Sequence, residues 1–282
     1  MSISVPPVSA NDLDVIVRAN QRLMKELTQL RAEVAAFESS RWWRLHPRGI
    51  LKRLRSSRVA RRIPDEVVVS DVDSPGPDDA LIVRFRDDVL ARGTFREDWF
   101  TIHITNWEPF IRELDERPSR ILEIGSFEGL SACYFLWRLS QAQVTCVDTF
   151  EGASDYVAFG IAVTDLESLF DSNVSLVDAS RVRKLVGDSR RFLLALVEKR
   201  CLFDLIYVDG SHLTLDVIVD AALSWQLLAP GGLLIFDDYC GNIHEQDALL
   251  RPGPAVDAFL ELVAGHCDLL FKERQVIVRK TD

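Results

Sequence analysis

The stretch Ile121-Leu-Glu-Ile-Gly-Ser-Phe-Glu-Gly129 constrains this chain more than any other. Ile121 to Ile124 read as a short buried strand. Gly125 follows at once, and Gly129 sits where a helix would begin. A strand, a glycine turn and a helix N-terminus can hold an adenosine-bearing ligand at the edge of a parallel sheet. The spacing is G-x-x-x-G and not the G-x-G-x-x-G of dinucleotide binders, so a pyrophosphate is not the guest it predicts.

The chain downstream alternates between the same two kinds of element. Strands are predicted at 120–125, 143–148, 182–187, 203–209 and 232–237, with a terminal pair near 267–280. Helices are predicted at 129–140, 165–172, 189–200, 213–228 and 254–264, and two more, at 79–92 and 97–115, precede the first strand. Such alternation gives a mostly parallel sheet with helices on both faces. The final pair, Asp268–Phe271 and Gln275–Arg279, has only Lys272-Glu-Arg274 between its strands. That is too short for a parallel crossover, so these two strands run antiparallel to each other. The expected fold class is α/β: a Rossmann-like, doubly wound, mostly parallel seven-stranded sheet with one antiparallel strand.

Ligands of such sheets bind beyond the carboxyl ends of the strands. The first strand delivers Glu123, Gly125, Ser126 and, at the helix start, Gly129. The second ends at Asp148-Thr149-Phe150. An acid about twenty residues after the glycine turn can accept hydrogen bonds from both hydroxyls of a ribose; the alternative for Asp148 is a helix cap or a solvated turn. The third strand ends at Asp188-Ser189, where Asp188 is placed for an adenine amino group and equally to cap the following helix. The fourth and fifth end at Asp209-Gly-Ser-His212 and Asp237-Asp238-Tyr239. Asp209, Asp237 and Asp238 thus converge at adjacent strand ends, and like charges so close need a cation or shared protons. Oxygen ligands of this kind suit Mg2+ or a similar hard ion. His212, near the same rim, is a candidate general base for a hydroxyl; otherwise it caps its helix or bonds Asp237. Trp99, Phe100, Trp107 and Tyr239 are candidates for packing on an acceptor, or for ordinary core and lid packing.

Upstream the chain changes character. Residues 1–11 carry Ser and Pro and read as a disordered N-terminus. Leu13, Ile16, Asn20, Leu23, Leu27, Leu30, Val34 and Phe37 repeat at alternating steps of three and four, the a and d positions of a coiled-coil helix over 12–39. Asn20 at an a position can set register and strand number. A homo-oligomer through residues 13–38 is expected; the alternative is a single amphipathic helix packed on its own domain. Residues 40–78 read as a basic aromatic segment and a linker, and 79–282 as the sheet domain.

Residues 41–62 hold nine Arg or Lys and no acid; the net charge is −10, so the rest of the chain carries −19. Trp42 and Trp43 among that charge suit a peripheral membrane contact or another anionic partner; a solvated basic hinge is the alternative. Nucleic acid is not expected, because the remainder is strongly acidic. No signal peptide or membrane-length apolar run is evident, and none of the five cysteines lies in a C-x-x-C pair. The expected location is the cytoplasm, with reduced thiols, at the inner face of the membrane if the basic segment binds it.

Taken in order, Glu123-Ile-Gly125-Ser-Phe-Glu-Gly129, Val147-Asp148-Thr-Phe150-Glu-Gly152 and Phe203-Asp-Leu-Ile-Tyr-Val-Asp209 resemble motifs I, II and IV of the class I S-adenosylmethionine-dependent methyltransferases. The resemblance covers about residues 100–280. Val208-Asp209-Gly-Ser-His212 and Phe236-Asp237-Asp238 are similar to the metal-dependent O-methyltransferases, above all the macrocin-type branch that modifies sugar and glycan hydroxyls. The resemblance implies S-adenosylmethionine held by Glu123, Gly125, Ser126, Gly129, Asp148, Thr149, Phe150, Asp188 and Ser189. It further implies Mg2+ on Asp209, Asp237 and Asp238, catalysis by His212 as base with Asp209, and a sugar or glycan hydroxyl as acceptor. Catechol-type relatives have Asp-Asn where this chain has Asp237-Asp238, so Asp238 is either a ligand or a group behind one. The heptad and the Ser-Arg-Trp-Trp-Arg-Leu run also resemble segments fused to bacterial surface-polysaccharide enzymes. Two other readings stand beside this one: a non-catalytic Rossmann-like scaffold of a glycan-synthesis complex, and a metal-independent methyltransferase of small molecules. The intact Glu123, Gly125, Asp148, Asp209 and His212 argue against the scaffold, which need not retain them.

Overall fold

The computed structural model describes residues 77–115, 117–152, 163–242 and 245–281. The expected coiled-coil helix over 12–39, the oligomer contact through 13–38 and the basic segment over 41–62 lie outside these residues.

The described chain opens with α1 (Pro77–Phe85), which runs into a π-helical turn at Arg86–Leu90. α2 (Ile104–Ile111) follows, flanked by 3-10 turns at Thr101–His103 and Arg112–Leu114. Then come β1 (Ser119–Ile124), α3 (Leu130–Arg138), β2 (Ala142–Asp148), α4 (Leu166–Ser175), β3 (Val182–Val186) and α5 (Ser189–Glu198). The second half holds β4 (Phe203–Val208), α6 (Thr214–Leu227), β5 (Leu228–Phe236), α7 (Pro252–Leu262), β6 (Cys267–Lys272) and β7 (Val276–Lys280).

The strands form one sheet in the order β3-β2-β1-β4-β5-β7-β6. The pairs among β1 to β5 are parallel, and β7 is antiparallel to both β5 and β6. The predicted α/β sheet is therefore present, with its one antiparallel strand threaded between β5 and β6. The chain winds outward from β1 one way and from β4 the other, so the switch point for a ligand lies at the carboxyl ends of β1 and β4.

Side chains alternate across the sheet with a period of two. Ile121, Val144, Leu205, Tyr207, Leu233, Ile235 and Ile277 belong to the core shared with Phe85, Trp107, Tyr134 and Phe170 of α1 to α4. Leu122, Ile124, Val147, Ile206, Val208, Leu234 and Phe236 belong to the core shared with Leu193, Val217 and Phe259 of α5 to α7. By the same period Glu123, Asp209, Asp237 and Gln275 continue the first face, the one that α1 to α4 cover.

Two predicted elements differ from the observed ones. The single helix expected over 97–115 is a 3-10 turn, α2 and a second 3-10 turn, beginning only at Thr101. The Asp98 carboxylate accepts from the Thr101 N–H at 2.9 Å and from its hydroxyl at 2.5 Å, which caps the helix there and stops it extending back. β5 starts at Leu228, four residues before the strand predicted at 232–237. Leu228 pairs with Phe203 across a register shift, so Pro230-Gly-Gly232, a turn signal in the sequence, lies inside an irregular strand.

α2 is tied to α3 by a buried charge network. Glu108 accepts from the Tyr134 hydroxyl and from Arg138 Nε at 2.9 Å and Nη2 at 3.1 Å, while Arg138 also reaches Asp115 at 2.5 Å. A buried ion pair broken on one side costs roughly 3–5 kcal/mol. Because Asp115 still holds Arg138, Glu108→Leu is expected to lower unfolding stability by about 2 kcal/mol. Urea denaturation measures this; a loss below about 0.5 kcal/mol would show that α2 is held by packing alone.

Candidate active site

The donor side of the site is built around Gly125. Its φ of +83° lies in the left-handed region, and a Cβ there would stand 2.0 Å from the Asp209 carbonyl oxygen, so only glycine fits. The sheet ladder continues past the strands at this point: Gly125 N–H donates to the Val147 carbonyl at 2.9 Å and Asp209 N–H to the Ile124 carbonyl at 2.8 Å. Gly129, at φ +82°, is the N-cap of α3, as its place in the sequence predicts. A Cβ at Gly129 would meet Phe170 of α4 at 2.9 Å, so α4 packs close on the turn.

Glu123 is fully buried beneath that turn. It accepts from the Ser126 and Ser131 hydroxyls, both at 2.5 Å. Burial pushes its carboxyl up to about 7 from the ordinary 4.5, with the two serine bonds working the other way. Asp148 Oδ2 accepts from the Ser126 and Phe127 N–H groups at 2.6 and 2.8 Å, and Oδ1 from Phe150 N–H at 2.6 Å. A carboxylate has about four acceptor positions, so roughly one is left. The expectation that Asp148 takes both ribose hydroxyls meets a side chain already holding three donors. Thr149 is exposed, whereas Phe150 is buried and packs on Phe170 with centroids 5.2 Å apart. Asp188 caps α5, accepting from Arg190 N–H at 2.9 Å, and is paired with the Arg190 side chain. The Ser189 hydroxyl donates to Asp220 at 2.7 Å.

The acidic side adjoins the turn at Asp209. The Tyr207 hydroxyl touches Asp209 Oδ2 at 2.9 Å and is bonded to Asp237 Oδ2 as well. Asp237 Oδ2 also accepts from Gln275 Nε2 at 3.0 Å, and Oδ1 from the Asp238 N–H at 2.7 Å. His212 Nε2 lies 2.9 Å from Asp238 Oδ2. Ligand atoms of Asp209, His212 and Asp238 all lie within 4.8 Å of one another. Burial, then the charges of Asp237 and Asp238, hold the Asp209 carboxyl well above the usual range. Burial and then the Asp238 charge raise Asp237 too. Asp238, its side chain 47% exposed, goes the other way: burial would raise it, but the His212 hydrogen bond and charge hold it below the usual range. Asp209, Asp238 and the His212 imidazole form a donor set that fits a divalent cation, with Asp237 beside it.

The predicted residues thus gather into two adjoining groups, Glu123–Gly129 with Asp148 and Asp209–His212 with Asp237 and Asp238. Asp188 and Ser189 are engaged in capping and core bonds. Of the aromatic residues read either as packing on an acceptor or as core, Phe100 and Trp107 are buried in the core; Trp99 is 45% exposed and stacks on Phe127 at 5.7 Å. The sequence reading missed three residues. Tyr207 was findable, since it sits two positions before Asp209 and shares its face. His103, whose Nε2 lies 4.0 Å from Asp237 Oδ1, and Gln275 are brought in from distant segments with no local signal.

A family model described as a methyltransferase domain matches residues 122–239, from β1 to just past β5. No curated protein matches the chain. Among solved structures, the MycE methyltransferase from the mycinamycin biosynthetic pathway, in complex with Mg and SAH, is 19% identical over 71% of this chain and 54% of that one, with a TM-score of 0.50. The same protein with Mg, SAH and mycinamycin VI gives 18%, 74%, 56% and 0.50. An O-methyltransferase from Bacillus cereus in complex with SAH is 16% identical over 77% of this chain and 94% of that one, with a TM-score of 0.51. The chain thus spans about half the length of MycE. At these identities the likeness is one of fold: the α/β sheet described above is a Rossmann-like methyltransferase fold.

The raised Glu123 carboxyl gives a pH signature. The folded chain binds that proton more tightly than the unfolded chain, so its contribution is most favourable below about pH 4.5, is lost as pH rises through about 7, and levels off above. Relative to Glu123→Gln, the wild type is expected to lose roughly 2–3 kcal/mol of stability between pH 5 and 8, by urea unfolding at both values. Equal slopes in the two proteins would mean that Glu123 is ionised throughout.

Proposed function

We propose that this protein is an S-adenosylmethionine-dependent O-methyltransferase that uses a divalent cation and His212 to methylate a sugar or glycan hydroxyl. One observation carries the reading: the glycine turn and the acidic cluster abut, Gly125 packing directly against the Asp209 backbone. A donor on the turn and an acceptor at the cluster would be neighbours on one sheet edge. The neighbours crystallised with SAH, and MycE with Mg, support the choice of cofactor and cation. The sugar or glycan acceptor rests on the likeness of the Asp209–His212 and Asp237-Asp238 motifs to the macrocin-type branch.

A sulfonium methyl group is already reactive, so the chain's task is to place it and to deprotonate the attacking hydroxyl. Gly125, Ser126 and Gly129 form the turn that receives the donor, and Asp148 has one acceptor position for a ribose hydroxyl. Asp209, Asp237 and Asp238 would hold the cation. Mg2+ there would make an acceptor hydroxyl more acidic. His212 would take the hydroxyl proton, which requires its Nε2 to leave the Asp238 carboxylate that it faces at 2.9 Å. The cation reading is supported by the gathering of Asp209, Asp237 and Asp238 at adjacent strand ends, since carboxylates that close need a cation or shared protons.

Oligomerisation through residues 13–38, a membrane or anionic contact through 41–62, and a cytoplasmic place at the inner face of the membrane belong to the same reading. They rest on the heptad and the basic run. No helix among the described residues is long and apolar enough to cross a membrane.

A labelled-methyl assay over nucleotide sugars and glycans, with Mg2+ or EDTA, tests the proposal. Turnover that EDTA abolishes is expected. His212→Ala is expected to lower kcat by about 100- to 10,000-fold while donor affinity by calorimetry stays unchanged. A wild type that binds no S-adenosylmethionine would end the proposal, and turnover insensitive to EDTA would remove the cation from it.

A further inference from the structure

Asp237 is the most heavily held carboxylate of the cluster, and what holds it comes from both ends of the domain. Gln275, at the entry to β7, donates to Asp237 Oδ2 at 3.0 Å. Trp107 of α2, 168 residues away, donates its indole N–H to Gln275 Oε1 at 2.8 Å. Both side chains are fully buried. Their order is fixed by chemistry. An indole nitrogen only donates, so it must face the amide oxygen of Gln275. The amide nitrogen is therefore turned toward Asp237 and cannot exchange places with the oxygen without leaving two buried donors opposed. With the Tyr207 hydroxyl on the same oxygen and the Asp238 N–H on the other, Asp237 has little freedom to rotate.

We propose that Trp107 and Gln275 are positioning residues for the cation site: by fixing the Asp237 carboxylate they pre-form the acidic cluster and raise its affinity for a divalent cation. The inference rests on the cation reading above. Neither residue falls within 122–239, the stretch that matches the methyltransferase-domain model, so the flanks of this chain complete a site whose carboxylates lie inside that stretch. The alternative is that both residues serve the core alone. Trp107 does pack there, 5.5 Å from Phe135 and 4.8 Å from Tyr207 between ring centroids. Its N–H, however, is spent on the amide that faces Asp237, and partners of metal ligands typically contribute about 10- to 100-fold in metal affinity.

The test is calorimetric titration of the full chain with Mn2+, and separately with S-adenosylhomocysteine, for wild type, Gln275→Leu and Trp107→Phe. Gln275→Leu removes both bonds of the relay at similar volume. Trp107→Phe keeps an aromatic ring in the core and deletes the N–H. The expected result is a Mn2+ Kd raised about 10- to 100-fold in Gln275→Leu and by a smaller factor in Trp107→Phe, with S-adenosylhomocysteine Kd within about twofold of wild type. In turnover, the KM for the cation should rise more than kcat falls. Unchanged Mn2+ affinity in the variants would overturn the inference and leave the proposed function standing. Parallel loss of Mn2+ and S-adenosylhomocysteine binding in Trp107→Phe would show general damage and overturn it too. A wild type that binds no Mn2+ would remove both this inference and the cation from the proposed function. If Gln275→Leu does not fold, Trp107→Phe decides alone.

Discussion

One phenolic proton stands between two part-buried carboxylates. Tyr207 reaches both Asp209 and Asp237, and it can donate to only one of them at a time. Burial raises both acids, and each is raised further by its neighbours. An arrangement of this kind is costly as a purely structural feature, because unpaired buried charge is destabilising unless something compensates it. The surrounding structure supplies partial compensation to Asp237 from the Gln275 amide and the Asp238 backbone N–H. A cation or a retained proton would supply the rest.

The placement of that cluster follows from the sheet. Period-two alternation puts Glu123, Tyr207, Asp209, Asp237 and Gln275 on one face, and the topological switch between β1 and β4 brings the ends of those strands together. The missing Cβ of Gly125 lets the donor turn and the Asp209 backbone come into contact. α1 to α4 cover this face with aromatic side chains, while Asp238 and Trp99 remain exposed.

The alternation, the antiparallel last pair and the acidic strand ends were legible because each is written in local spacing: a run of apolar residues, a glycine, a loop of three. Asp209, Asp237 and Asp238 could be placed together from strand order alone. The Asp98 cap was not anticipated, since a carboxylate three residues before Thr101 is an equally common surface residue. Trp107 illustrates the harder limit. Its residue type left an acceptor platform and core packing both open; it is buried and bonded to Gln275, 168 residues away, and no local pattern carries that pairing. Asp148 shows a third kind of limit: no spacing in the sequence tells that three backbone N–H groups from the neighbouring turns bond to it.

The claim that joins these observations is that the three carboxylates are a cation site beside a donor turn. Anomalous scattering from a crystal of the full chain grown with Mn2+ and S-adenosylhomocysteine would test it most directly. The account predicts a single strong peak bonded to oxygens of Asp209, Asp237 and Asp238, next to a donor seated on the Gly125 turn. Density for the donor with no peak at those carboxylates, or a peak held by other residues, would contradict it.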